Sequence, residues 1–260
     1  MKNKIKLIKL ILQFSRRDFK QKYIGTGLGQ LWFFISPILM ISIYTIIFSD
    51  IMQLKLNFDK NDFAYSTYLI PGILAWTSFS SIITILSCSF ENKASLIKKI
   101  NIPMYIFQLS VFVTEFAIFA IAISLAIIFL LITSVPVTTT FLWMIPVMIL
   151  QTIFAFSLGV IFSLFTPFFK DLKVVIPIII KLWFWITPIV YMKELIIEKF
   201  PAILIYNPLF YFIDIYHDIF VYSKSPSFTS LITISLITII SLFIAAFLYK
   251  KMVSTVKDII

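Results

Sequence analysis

The chain has 260 residues, of which 60% are hydrophobic and 13% charged, and a formal net charge of +10. A soluble domain must wet its exterior, so this excess of apolar side chains excludes an ordinary water-soluble globule and makes lipid the solvent for most of the chain. The basic residues cluster beside apolar runs, which points to anionic headgroups and not to nucleic acid, and the single cysteine, Cys88, excludes an intrachain disulfide and a cysteine-based metal site.

Residues 4–22 come first. Ile5, Ile8, Leu12, Ser15 and Phe19 fall roughly on one helical face with Lys and Arg largely elsewhere, which predicts an amphipathic helix lying flat in the membrane interface. The mixed character of this segment does not fit a cleavable signal peptide, so the first span is expected to stay in the mature protein. Gly25, Gly27 and Gly29 then break the helix as an elbow; they match no dinucleotide fingerprint, and the chain has no GxxxxGK phosphate loop.

A membrane helix needs about 20 mostly apolar residues to cross roughly 30 Å of hydrocarbon. Six runs qualify, at about 31–49, 64–90, 105–132, 141–166, 174–192 and 228–249. They lack the alternation of a membrane barrel, so the fold class is an all-α membrane protein forming one domain over 1–260. Between the fifth and sixth spans, residues 194–216 contain an apolar run broken by Pro201 and Pro208, too short to cross and too apolar for a free loop. Two short re-entrant helices turning near Asn207 and Pro208 are expected there. With both termini cytoplasmic, sixteen Lys and Arg residues lie inside and five outside, and this asymmetry sets the orientation.

Several motifs recur in order along nearly the whole chain. They are Arg17 to Tyr23 followed by Leu28 to Trp32 and Ser36-Pro37; Asn92 to Pro103; Phe169 to Leu172; Leu182 to Phe184 with Thr187 to Tyr191; and Tyr206 to Leu209. In these the sequence resembles the type-2 ABC exporter permeases for O-antigen, capsule and teichoic-acid polysaccharides. It departs from them at Met104 and Lys170, where many members have arginine. The resemblance implies a homodimeric permease of the bacterial inner (plasma) membrane, joined to two copies of an ATPase subunit, that exports a lipid-linked polysaccharide. ATP and Mg would be used by the ATPase, so this chain is expected to bind no cofactor and to be no enzyme. The resemblance also implies a coupling helix over 91–100 that docks on the ATPase, with Glu91, Asn92, Lys93, Leu96, Lys98 and Lys99 as candidates and Lys93, Lys98 and Lys99 facing the partner or the headgroups.

A sugar polymer offers CH faces for aromatic stacking and hydroxyls for hydrogen bonds. Candidate pathway residues are Trp32, Phe33, Ser36 and Tyr44 in the first span and Trp185, Thr187 and Tyr191 in the fifth; interface-belt anchoring is the competing reading for Trp32 and Tyr191. Trp183 and Trp185 point about 200° apart on a helix, so one path does not take both. Glu115 and Lys181 are the only ionisable residues well inside the predicted spans, each costing on the order of 3 kcal/mol at a helix centre. At matching depths they either pair or face a shared wet cavity, the competing reading being that Lys181 snorkels to headgroups while Glu115 bonds a neighbouring helix. His217 has no convergent ligands, no metal site is expected, and no catalytic constellation can be assembled. A drug, lipid or small glycoconjugate is the other cargo considered; a secondary transporter or a membrane glycosyltransferase lacks the intramembrane carboxylates or outer charged cluster it would need.

Overall fold

The structure is a computed structural model that describes residues 2–47, 63–99, 102–197 and 200–260. The described residues form helices and turns, with no strand among them. In chain order, α1 is Lys2–Gln21, α2 is Trp32–Thr45, α3 is Ala64–Ser87, α4 is Ser89–Asn92, α5 is Ala94–Lys99 and α6 is Tyr105–Ile132. They are followed by α7 (Met144–Phe165), α8 (Leu172–Ile186), α9 (Glu194–Ile197), α10 (Pro201–Ile205), α11 (Pro208–Phe220) and α12 (Phe228–Ile259). The last residues of the first expected span (48–49), Lys55, Lys60 and Lys199 of the charge count, residue 100 of the coupling segment and residues 198–199 of the re-entrant segment lie outside the described residues.

Among the described residues, four helical stretches are long and apolar enough to cross a membrane: α3, α6, the stretch Thr139–Phe165 that contains α7, and α12. The first expected span is helical from residue 29 through 47, the last one described there. The fifth is shorter: α8 has 15 residues, or about 22 Å at 1.5 Å per residue. The fifth span was expected to continue to Met192, but α8 stops at Ile186 because Thr187 precedes Pro188. The proline ring disfavours helical backbone in the residue before it, and Thr187 takes extended angles, φ −94° and ψ 129°. The stretch beyond is not a free loop. Thr187 and Ile189 are fully buried, and the hydroxyls of Tyr65 and Tyr68 on α3 donate to the carbonyls of Val190 and Tyr191.

The core is organised around α3, which packs against α2, α6, α7, α8 and α11. Its most apolar stretch is 67% buried, against 22% for α12, so α3 is central and α12, which packs mainly on α7, is peripheral. Aromatic side chains knit the centre: Phe79 of α3 stacks on Phe154 of α7 at 5.7 Å and meets Trp183 of α8 edge-on at 5.3 Å, and Phe154 stacks on Phe212 of α11. Buried amides also cross between helices, with Gln151 donating to the carbonyl of Ala75 at 2.7 Å and Gln108 to the hydroxyl of Ser163 at 2.8 Å. Such bonds have little competition where water is scarce.

At the end of the bundle that carries α1, a second apolar cluster joins Phe90, Ile97, Met104, Phe107, Leu164 and Val256. Val256 reaches it because α12 runs to Ile259, ten residues past the expected end of the sixth span, so the last turns of α12 brace α4 and α5. α1 is two-sided. Ile5, Ile8 and Leu12 are exposed, as an interfacial stripe requires, while Ser15 is buried against α6, donating to the carbonyl of Ser110 at 3.1 Å and accepting from Thr114 at its own carbonyl at 3.2 Å.

α3 and α7 approach closely at Gly159, where an added Cβ would stand 2.7 Å from Cβ of Leu86. Gly159→Ala is expected to lower stability by about 1–3 kcal/mol through overpacking. Gly27→Ala, in open space, is the control. Thermal unfolding of the purified protein in detergent checks both, and equal melting temperatures would refute the packing argument.

Candidate functional site

Glu115 lies on α6 and is 4% exposed, a burial that its charge tolerates only with partners. Both carboxylate oxygens have one. Lys22, one residue beyond α1, donates from Nζ to Oε1 at 2.7 Å, and Ser81 of α3 donates to Oε2 at 2.7 Å. Of the readings left open, pairing with Lys181 or a cavity shared with it is corrected, whereas a bond from Glu115 to a neighbouring helix is present at Ser81; the cation comes from Lys22, where the chain beyond α1 folds back against α6. Lys181 instead lies exposed on α8, between exposed Ile178, Ile179, Leu182 and Trp185.

The pair borders a cleft of about 250 Å³ between α2, α3 and α6. Trp32, Phe33 and Ser36 of α2 line it, as do Thr77, Ser78 and Ser81 of α3. The buried Ser78 hydroxyl has no hydrogen-bond partner among the described residues. The cleft thus offers aromatic edges, hydroxyls and one ion pair within an apolar wall. Phe33 does more than line it; the ring is 1% exposed, stacked on Phe19 at 3.8 Å and edge-on to Tyr23 at 4.7 Å, and so it holds α1 to α2. Tyr44 packs against the main core farther along α2.

The fifth-span candidates do not join this cleft within one chain. Trp185 is 65% exposed, Tyr191 donates from its hydroxyl to the carbonyl of Trp185 at 2.5 Å, and Thr187 is fully buried. Trp183 and Trp185 do take opposite sides of α8: Trp183 packs on the core while Trp185 faces out. Thr187 belongs to a polar knot centred on Asn207, which is 4% exposed. Asn207 Oδ1 accepts from Trp183 Nε1 at 2.9 Å and from the backbone of Leu209 at 3.1 Å, and Nδ2 donates to Thr187 Oγ1 at 2.9 Å. Asn207 therefore caps α11, with Pro208 in its first turn, and ties it to the end of α8. The expected turn at Asn207 and Pro208 is where the short helix α10 gives way to α11. His217 on α11 is buried and stacked on Tyr68 at 3.9 Å, and Asp214 pairs with Lys193 at 2.6 Å.

The expected coupling segment is two short helices, α4 and α5. Lys98 and Lys99 are exposed at its end, and Leu96 and Ile97 pack toward the second cluster. Lys93 departs from expectation: it does not face outward but pairs with Asp18 of α1 at 2.7 Å. Asp18 also accepts from the hydroxyl of Ser110, and Glu91 pairs with Lys173 at the start of α8 at 2.7 Å. Sequence reasoning missed Lys22, Ser81 and Asp18 as site residues. The cluster of hydroxyls at 77, 78, 80 and 81 in one apolar run was the available signal for Ser81, whereas Asp18 and Lys22 stood only within the Arg17 to Tyr23 motif, with no role assigned to either.

Among the described residues, four helices long and apolar enough to cross a membrane, with an amphipathic helix before them and short paired helices at one end, fit a multi-pass membrane protein. Residues 9–221 match the family described as ABC-2 type transporter, and the chain belongs to that membrane family. The O-antigen export system permease protein RfbA of Klebsiella pneumoniae is 33% identical over 215 residues, covering 82% of this chain and 81% of the relative. RfbA of Myxococcus xanthus is 23% identical over 244 residues, with 93% and 92% covered. The polysialic acid transport protein KpsM of Escherichia coli is 22% identical over 241 residues, covering 90% of each.

Asn207→Ala removes the amide that satisfies Trp183, Thr187 and the first turn of α11. It is expected to cost about 2–4 kcal/mol, with Trp183→Phe costing about 1 kcal/mol, because each buried group left unpaired loses its hydrogen bond. Thermal unfolding compared across the two variants checks the ratio.

Proposed function

We propose that this chain is the membrane-spanning permease of an ATP-driven exporter that carries a lipid-linked polysaccharide across the bacterial inner membrane, with both termini cytoplasmic. The observation that carries this reading is the similarity along most of the chain to permeases named for O-antigen export, joined to a cleft of aromatic and hydroxyl groups suited to sugar rings. Trp32, Phe33, Ser36 and Tyr44 on one side and Trp185, Thr187 and Tyr191 on the other are the pathway candidates.

A second copy of the chain completes the path. The exposed face of α8 carries Val174, Val175, Ile178, Ile179, Leu182, Trp185 and Ile186, and Lys181 lies on it one turn from Trp185. A lysine in the lipid-facing middle of a span costs on the order of 3 kcal/mol, whereas the same lysine beside a hydrated path between two copies does not. That asymmetry favours a homodimer with the α8 faces opposed.

Energy comes from two copies of a separate ATPase subunit, which hold ATP and Mg. This chain has no GxxxxGK phosphate loop. Its docking surface is the outer side of α4 and α5, where Asn92, Lys98 and Lys99 are exposed. Glu91 and Lys93 act on the inner side of the same helices as ties to α8 and α1, and Leu96 as packing.

Loss of the gene is expected to leave lipid-linked polymer inside the cell, detected as intracellular polysaccharide; its absence, with sensitivity to a drug instead, would favour a small-molecule cargo. Trp185→Ala is expected to lower export about 3- to 10-fold, the equivalent of one stacking contact, at normal membrane abundance. Lys98→Glu together with Lys99→Glu should weaken co-purification of the ATPase about tenfold by reversing the docking charge.

A further inference from the structure

Two clefts meet at one ion pair. Besides the cleft between α2, α3 and α6, a second of about 270 Å³ opens at the basic end of the bundle, lined by Asp18, Gln21, Asn92 and Lys93 among others. Lys22 and Glu115 are the only lining residues that the two clefts share. Their 2.7 Å contact is the wall between a polar chamber beside the coupling segment and the aromatic chamber between the spans.

We propose that the Lys22–Glu115 pair, seated on Ser81, is the gate that closes the pathway toward its basic end. This rests on the reading of the aromatic cleft as part of the pathway. Glu115 is fixed, buried on α6 and bonded to Ser81 of α3. Lys22 is the movable half; its side chain is 28% exposed and lies just past the last turn of α1. It sits between two mechanical points. Asp18, one turn earlier, is bonded both to Ser110 of α6 and to Lys93 beside α5, and is the pivot. Gly25 and Gly29, at φ 85° and 51°, form the elbow beyond, in backbone that glycine adopts without strain.

Motion at α5 therefore reaches Lys22 across a single helical turn. The pair has two stable arrangements only if something replaces Lys22 at the carboxylate, since an uncompensated Glu115 is costly in so buried a place. Water or the hydroxyls of an arriving cargo fill that role, so parting of the pair and hydration of the passage occur together.

Cys88 is the only cysteine, which makes accessibility a direct test. In a Cys88→Ser background, Ser36→Cys places a thiol in the aromatic cleft. A charged, membrane-impermeant methanethiosulfonate reagent is applied to the cytoplasmic face of inside-out vesicles holding the full chain with its ATPase, without ATP. Slow labelling is expected with the pair intact. Lys22→Gln and Glu115→Gln should each raise the rate about tenfold, and the exchange Lys22→Glu with Glu115→Lys should return it towards the slow value. Parental rates in both neutral variants would overturn the proposal, as would an exchanged pair that folds yet labels fast. Should Glu115→Gln fail to fold, as judged by thermal unfolding, Lys22→Gln at the exposed end of α1 carries the test alone. The readout is independent of the cargo, so a failed gate and a wrongly assigned substrate give different results.

Discussion

A carboxylate in the middle of an apolar bundle is tolerated only if the protein supplies what water would have supplied, and most of this architecture can be traced from how Glu115 meets that demand. Its two oxygens take one cation and one hydroxyl, from different helices. The cation comes from just beyond α1, so α1 is drawn against α6 at Lys22, Asp18 and Ser15. On either side of Lys22, Phe19 and Tyr23 pack on Phe33 of α2.

The same logic repeats wherever a polar group is buried. Asn207 satisfies an indole, a hydroxyl and a helix N-terminus at once, and in doing so joins α8 to α11 where proline has ended one helix and begun the next. Lys93 and Glu91 neutralise Asp18 and Lys173, so two residues of the α4–α5 segment face the bundle and not the solvent. In a bilayer, where apolar packing alone gives little preference for one helix neighbour over another, such bonds set which helices meet.

Four of the expected spans fall on long apolar helices, because the need to cover roughly 30 Å of hydrocarbon acts on each run by itself. α8 was legible in place but not in length. Its end is written in the Thr187-Pro188 dipeptide, a local rule that a hydropathy window averages away. Trp183 and Trp185 were correctly separated by helical geometry alone, and the turn at Asn207 and Pro208 was readable as a break in an apolar run. The partner of Glu115 was not readable, because the depth argument compared only charges inside spans. Lys22 lies 93 positions from Glu115 and outside every span, and nothing in the chain's linear order says that α1 returns to that depth.

By itself, then, the sequence determined the helical class, where the long apolar helices lie and the turn at Asn207 and Pro208, since each follows from transfer free energy or backbone sterics within a single segment. Tertiary structure decided which charges pair, that Lys93 turns inward while Lys98 and Lys99 stay out, that the end of α12 joins the apolar cluster of α4 and α5, and that two clefts share a single ion-paired wall. Those outcomes depend on the close approach of groups remote in the chain, at distances near 3 Å where hydrogen bonds and ion pairs act, and no property of an isolated segment encodes them.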